Sequence, residues 1–333
     1  MPDISLLEPV VIRDVVQKLA TPETLVLTNK LPTTPWPYPT VTWDVIRGSR
    51  TIGRPNVPNS EAHIVPRLGI SQQSASFLYY REKKVFEPTT LHWLRAPGSL
   101  SNIQNAEQAV MREVTDLNQR LSNLIEWSCW KALSGTLTFQ YDDVVANVNY
   151  QLPATHLPST PSNGWSNTAT TVPQIVGNVQ AWKRLIFRDG RVKPTEAWAT
   201  ELTMTYIMAA FSRAAQTLMS DRMRDAYYAD GVLPGFMGLD WNSVESQYDI
   251  DPAGTTALFL PDGALAITNF DDNRPMEIME GPTADDEAPE GFTGRFTKTW
   301  QEKDPSARQI LLENSFLPII RRPEQFVYVA NVG

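Results

Sequence analysis

Cysteine is almost missing from this chain. Cys129 stands alone among 333 residues, which excludes an intrachain disulfide and points to a reducing compartment. Histidine is nearly as scarce: His63, His92 and His156 are the only three, none near another in sequence. Spacings such as H-x-x-x-H or C-x-x-C are absent, so no local zinc site is read. There is no G-x-S-x-G and no G-x-x-x-x-G-K-[ST]. No apolar run reaches 18 residues, and the N-terminus lacks a charged-then-apolar signal pattern. The chain therefore reads as soluble and not exported through a signal peptide. An N-x-[ST] acceptor and a fixed-period repeat are also lacking. Glycine (17) is outnumbered by proline (26), which favours stiff, extended connections over loose linkers.

What is present is enough to build a core. Apolar residues make up 42% and charged residues 20%, with a net charge of −8. That balance excludes disorder by composition and argues against a protein whose main task is gripping phosphates. The length fits two modest domains, or one large domain with excursions.

Residues 1–40 differ from the rest. Val11, Val15 and Leu19 lie four apart in one stripe of a short helix that Pro9 can start and Thr21–Pro22 stops. "LPTTPWPYP" follows, around Trp36, where X-Pro steps hold the backbone extended. A short helix and a stiff strap make an arm with too little apolar surface to fold alone. A strap across its own domain is the plain reading. Residues 41–96 read as β, from the alternating Val41, Trp43 and Val45 to "ASFLYYREKKVFEP" with Phe77, Tyr79, Tyr80 and Phe86. The long stretch between them has no clear core face. Its aromatic residues need a partner surface, in this subunit or a neighbour. The longest helix comes next. Ile103, Ala106, Val110, Val114, Leu117, Leu121, Leu124 and Ser128 keep one face over roughly thirty residues, about 45 Å. Glu107, Arg112, Asp116 and Arg120 take the other. A spine lying on a sheet fits this better than a coiled coil. "TLTFQYDD" and "VVANVNYQL" alternate as a hairpin after Gly135. From Trp165 helices and short strands mix, with helical readings for the segment around Val172–Phe187 and for the whole of Pro194–Gly231. Residues 283–291 read as a solvated acidic turn. The segments fall into an arm (1–40), a β-loop (41–96), a spine-and-hairpin domain (97–164) and an α+β domain (165–333).

No catalytic constellation emerges. Cys129 sits between Ser128 and Trp130 on the spine helix, where a small packing residue is the plainer reading than a nucleophile, which needs a basic, exposed niche. "DDNRPMEIMEG" has the outline of a calcium loop, but Met276 stands where that loop needs glycine. Asp142–Asp143 and Asp271–Asp272 read as turn chemistry. No cofactor or metal is implied. Basic residues gather at Arg47, Arg50, Arg54 and Arg67, then at Arg81, Lys83 and Lys84. Without a nucleic-acid motif, docking onto acidic patches of neighbouring subunits is preferred to DNA binding.

The order of parts and the C-terminal stretch "FTKTWQEKDPSARQILLENSFLPIIRRPEQFVYV" carry a resemblance. Trp300, Asp304–Pro305, Leu317–Pro318, Pro323–Glu324 and Phe326–Val327 with Val329 resemble the major capsid protein E family, the lambda-like members of the Hong Kong 97-like capsid fold of tailed phages. "FLPDG" (259–263) and "ASFLYYREKKVFEP" (75–88) are similar to further family segments, while Arg321–Arg322 departs from less charged family residues. The resemblance implies an α+β Hong Kong 97-like fold with N-terminal arm, extended β-loop, peripheral domain with long spine helix, and axial α+β domain, part of 285–310 returning to the peripheral domain. It implies hexamers and pentamers of an icosahedral head around double-stranded DNA, assembled in the bacterial cytoplasm on a scaffolding protein, with a portal and, in some relatives, a decoration protein. Intersubunit contacts are then expected from Val11, Val15, Leu19 and Trp36 in the arm. The loop would add Arg47, Arg50, Arg54, Phe77, Tyr79, Tyr80, Lys83, Lys84 and Phe86. Lys83 and Lys84 stand near the loop's base, but no acceptor motif accompanies them, so no crosslink is expected. An encapsulin-like cargo shell is the alternative with the same fold; an unrecognised enzyme is the alternative of another class.

Overall fold

The computed structural model describes residues 22–46, 71–87, 103–141, 144–214, 220–231, 233–250, 255–271, 274–304 and 306–333, with Val16, Leu19 and a few positions between 52 and 62. Val11, Val15, Arg47, Arg50, Arg54 and Arg67 lie outside these residues. Val16 is helical and buried, and Leu19 packs against the core.

The described chain begins with helix α1 (Val26–Lys30), strand β1 (Thr33–Pro35) and strand β2 (Thr40–Val45). Next come β3 (Ser71–Ser76), β4 (Leu78–Phe86), the spine helix α2 (Ile103–Leu133), and the hairpin β5 (Thr136–Tyr141) and β6 (Val144–Asn149). Helix α3 (Val172–Asp189), strand β7 (Glu196–Ala199), helices α4 (Glu201–Arg213) and α5 (Asp221–Asp230), and strands β8 (Leu233–Pro234) and β9 (Asp240–Ser243) follow. The chain closes through β10 (Gln247–Asp249), β11 (Thr256–Leu258), β12 (Leu265–Thr268), β13 (Met276–Glu280), β14 (Phe296–Lys303), β15 (Ser306–Ile320) and β16 (Val327–Val329).

Two five-stranded sheets organise these elements. In the first, β15 is the backbone of the layer: β14 and β4 run antiparallel along opposite sides of it, β13 pairs antiparallel with its C-terminal end, and β1 joins β13 in parallel. Helix α2 lies across β15 and β4, as the single apolar stripe requires. Val110, Val114, Leu117 and Leu121 are buried against this sheet, while Arg112, Asp116 and Arg120 stay exposed. From residue 121 the helix is enclosed on more sides, and Ser122, Ile125, Glu126, Ser128, Cys129 and Trp130 are all buried. Gly135 ends the helix region with φ +96°, a conformation open to glycine, and turns the chain into the β5–β6 hairpin.

The second sheet has the order β16-β12-β7-β9-β8, with β7 and β9 parallel. It is covered on both faces, so its strands are apolar throughout. Ala197, Ala199, Leu265, Ile267, Val327 and Val329 face a core built with α3 and α4. Trp198, Ala266 and Tyr328 face the other way, into the core shared with α2 and the first sheet. The terminal strand β16 is thus a structural edge of this sheet.

One reading needs correction here. Residues 194–231 were expected to be helical throughout, but Glu196–Ala199 is a strand, and helix begins only at Glu201. Four residues buried on both faces carry no alternation, so periodicity cannot separate them from a buried helix segment. Residues 22–36 form the expected strap, and it crosses its own subunit: β1 pairs with β13, and the Trp36 amide donates to the Glu280 carbonyl at 2.7 Å.

Candidate assembly surface

The return strand of the β-loop decides which expected contact residues face outwards. β4 pairs with β15 over nine positions, from Arg308 opposite Phe86 to Phe316 opposite Leu78. Strand alternation then splits its side chains. Leu78, Tyr80 and Phe86 point to the spine helix and are buried. The Tyr80 hydroxyl reaches the Leu117 carbonyl at 3.2 Å, and burial followed by the charge of Glu82 pushes the phenol far up. Tyr80 and Phe86 therefore belong to their own subunit's core and offer a neighbour no side-chain surface. Phe77 also packs at home: a Cβ built on Gly281 would stand 2.5 Å from its ring, so the ring lies on that glycine's backbone.

The basic residues of β4 are paired within the subunit as well. Lys84 meets Glu113 and Asp116 of α2, each at 2.8 Å, and Arg120 of α2 bonds Glu82 at 2.6 Å. Lys83 donates to Gln309 at 3.0 Å, and Gln309 in turn bonds Glu302 on β14. Arg81 approaches Asp285 at 3.6 Å and Glu313 at 3.5 Å. These three cations, expected to meet acidic patches on neighbours, thus each have a partner within their own subunit.

Asp285 also revises the reading of 283–291 as a solvated turn. Its side chain is 3% exposed and bonds Lys298 at 3.2 Å. Desolvation pushes its carboxyl up, but the Glu287 amide, Lys298 and Arg81 outweigh that and hold it below the ordinary carboxylate value. The same loop donates the Ala284 amide to buried Glu313 at 2.8 Å. The loop is thus pinned to the outer face of the first sheet, while Asp286, Glu287 and Glu290 project from it.

What remains open on that face is a row across three strands. Val85 stands opposite Gln309, and Gln309 opposite Trp300, so the three share one side of the sheet. Val85 is 51% exposed, Trp300 36%, and Tyr79, further along β4 on the same side, 45%. Desolvation and the neighbouring Glu313 push the Tyr79 phenol well up. β14 is itself an edge strand carrying Lys298 and Lys303, charges that blunt unwanted pairing. Of the expected loop contacts, Tyr79 is the aromatic residue this face presents; Val85 and Trp300 were not singled out, although strand alternation and the Trp in the family-like stretch marked both. Trp36 is half-buried against the core.

Three further residues escaped sequence reasoning. Glu126, on α2, accepts from the Leu27 amide (3.0 Å), the Thr28 amide (2.7 Å) and hydroxyl (2.8 Å), and the Trp130 indole (2.8 Å). It is the single charge between Arg120 and Lys131, a signal available in the sequence. His156 is fully buried, with Nδ1 2.6 Å from the Phe326 carbonyl and Nε2 3.2 Å from Asp189. Arg295 reaches under the spine helix to Asn118 and Ser122, and burial lowers its pKa. Among the described residues no group of three or more His, Cys, Asp and Glu could hold a metal, and no helix is long and apolar enough to cross a membrane.

Comparison with known proteins gives this arrangement a context. No curated protein matches the sequence. A prophage capsid protein of E. coli CFT073 has a similar structure, with 14% identity, a TM-score of 0.61 and 79% of each chain covered. A phage-related protein of Bordetella bronchiseptica RB50 has 8% identity, a TM-score of 0.60, and 98% and 97% of the two chains covered. A subunit of the satellite phage P4 procapsid has 10% identity, a TM-score of 0.52, and 99% and 91% covered. At these identities the likeness is one of fold, the Hong Kong 97-like capsid fold. The model of the phage major capsid protein E family matches residues 9–331. The chain belongs to the phage major capsid protein E family: it is a structural, non-enzymatic subunit of a phage capsid.

Proposed function

We propose that this chain is the major capsid protein of a tailed double-stranded DNA phage, forming the hexamers and pentamers of an icosahedral head. The observation that carries the reading is the family match over residues 9–331 on a subunit whose core is already closed. Residues 46–70 link the ends of the β2–β3 ribbon beyond the Val45–Ser71 pair, and Arg47, Arg50 and Arg54 lie in that link. With Arg81, Lys83 and Lys84 satisfied at home, these arginines are the basic residues left to meet a neighbour. Val11 and Val15 of the arm are the apolar counterparts, while Leu19 packs against its own subunit's core. Assembly in the bacterial cytoplasm would run on a scaffolding protein, with a portal at one vertex and a decoration protein as an optional addition. Packaged DNA would be contacted weakly, because a chain of net charge −8 repels phosphates.

A cargo-holding shell is the second reading, since an encapsulin of Synechococcus elongatus shares the fold with a TM-score of 0.51 at 8% identity. Expression of the chain alone and together with its scaffold gene, followed by sedimentation and electron microscopy, separates the two. Closed shells of uniform size that need the scaffold support the phage head. Uniform closed shells from the chain alone, unaltered by the scaffold, support the cargo shell and overturn the head.

A further inference from the structure

Residues 22–36 pack on the core that the spine helix shares with both sheets, and each end has its own anchor. At the spine helix, Leu25, Leu27 and Leu31 are buried, and Glu126 takes three donors from this segment, the Leu27 and Thr28 amides and the Thr28 hydroxyl of α1, and a fourth from its own helix's Trp130. No side chain of α1 caps its own start, so the cap comes from a helix about a hundred residues away in sequence. At the second sheet, Lys30 pairs with Glu196 of β7 and lies over the rings of Trp198 (5.4 Å) and Phe270 (5.9 Å). Glu196 also accepts from the Trp198 indole at 3.2 Å. Beyond these anchors β1 adds a parallel strand to β13, and Thr34 donates to buried Glu277 at 3.0 Å. Ser246, preceding β10, donates to the Thr24 carbonyl at 2.6 Å. A single segment of fifteen residues thus ties α2, the first sheet and the inner face of the second sheet.

A strap that merely covered apolar surface would need none of these directional contacts. Here a buried carboxylate, with no cation paired to it among the described residues, is held in place by amides of the strap. A paired lysine sits one helical turn further on, against the face of the second sheet that lines the same core. We propose that residues 22–36 are one brace that locks the spine-helix layer to the axial sheet, with Glu126 and Lys30 as its two positioning anchors. The brace is a property of one subunit, so it stands or falls apart from shell assembly.

The test is reciprocity between the anchors in the full-length chain. Hydrogen exchange is followed by mass spectrometry in wild type, Glu126→Ala and Lys30→Met. We expect Glu126→Ala to speed exchange about tenfold at residues 33–36, remote from the lost carboxylate, where the Trp36 amide is bonded to Glu280. Lys30→Met is expected to speed exchange likewise at residues 26–28. Nitroxides on Arg112→Cys in α2 and Leu202→Cys in α4, both exposed sites, should give a narrow distance distribution in wild type and a broader one in either variant. Acceleration confined to the mutated anchor, or a distribution of unchanged width, overturns the brace. Where Glu126→Ala yields no soluble protein, Thr28→Val removes one donor and leaves the carboxylate. The same two readouts then decide, with a smaller expected acceleration at 33–36 and the same overturning result.

Discussion

Glu126 and Asp285 both keep a carboxylate out of water, and their surroundings shift them in opposite directions. For Glu126 burial is the largest influence, and the amides of Leu27 and Thr28, the Thr28 hydroxyl and the Trp130 indole only partly offset it, so its folded value is raised. Its contribution to stability is complete below the unfolded value of about 4.3 and is lost as pH rises through the folded value. For Asp285 burial is outweighed, so its folded value is lowered. Its contribution is complete above the unfolded value of about 3.9 and is lost as pH falls through the folded one. Urea titrations of wild type and Asp285→Asn should therefore differ by a constant amount between about pH 5 and 8 and converge below about pH 4. A difference that grows on acidification would contradict the pairing with Lys298 and Arg81. Removing Glu126 is a packing and hydrogen-bond loss at any pH: Glu126→Ala orphans four donors and should cost about 2–4 kcal/mol in the same titration. Gly281→Ala would drive a methyl into the Phe77 ring and should cost about 1–3 kcal/mol, recovered in part by Phe77→Leu.

At the scale of elements, the sequence shows most clearly what a period can encode. The stripe from Val110 to Leu121 describes α2, and the alternation of Val41, Trp43 and Val45 describes β2, because each element buries one face and wets the other. Leu121→Ala should cost about 2–5 kcal/mol and leave the exposed Arg112 and Asp116 face untouched, as read by thermal unfolding. Where an element is enclosed on all sides the pattern vanishes, which is why β7 reads as helix. Pairing across long sequence distance is also invisible. Nothing local shows that β4 joins β15, and that pairing sends Tyr80 and Phe86 inward and leaves Tyr79, Val85 and Trp300 outside. The double variant Val85→Ser with Trp300→Ser should leave the unfolding free energy within about 0.5 kcal/mol of wild type per site, as exposed sites do, and reduce sedimenting assemblies severalfold. Unaltered assembly would remove this row from the interface.

The whole molecule divides its labour. Two sheets, a spine helix and the strap close the subunit, and the terminal strand β16 completes an edge of the second sheet. Val11 and Val15 of the arm and Arg47, Arg50 and Arg54 of the link 46–70 are the residues proposed to reach neighbours, while Val16 and Leu19 pack in the subunit's own core. Deleting residues 1–21 should then leave a cooperatively folding chain, since Glu126 and β1 retain their partners in 22–36, while shells form poorly. Loss of folding on that deletion would make the arm intramolecular. The most direct test of the shell account is single-particle cryo-electron microscopy of particles formed with the scaffold. The account predicts this fold arranged in both fivefold and sixfold rings, with residues 46–70 lying on an adjacent subunit. Particles with a single kind of ring that do not close, or a link folded back on its own subunit, would contradict it.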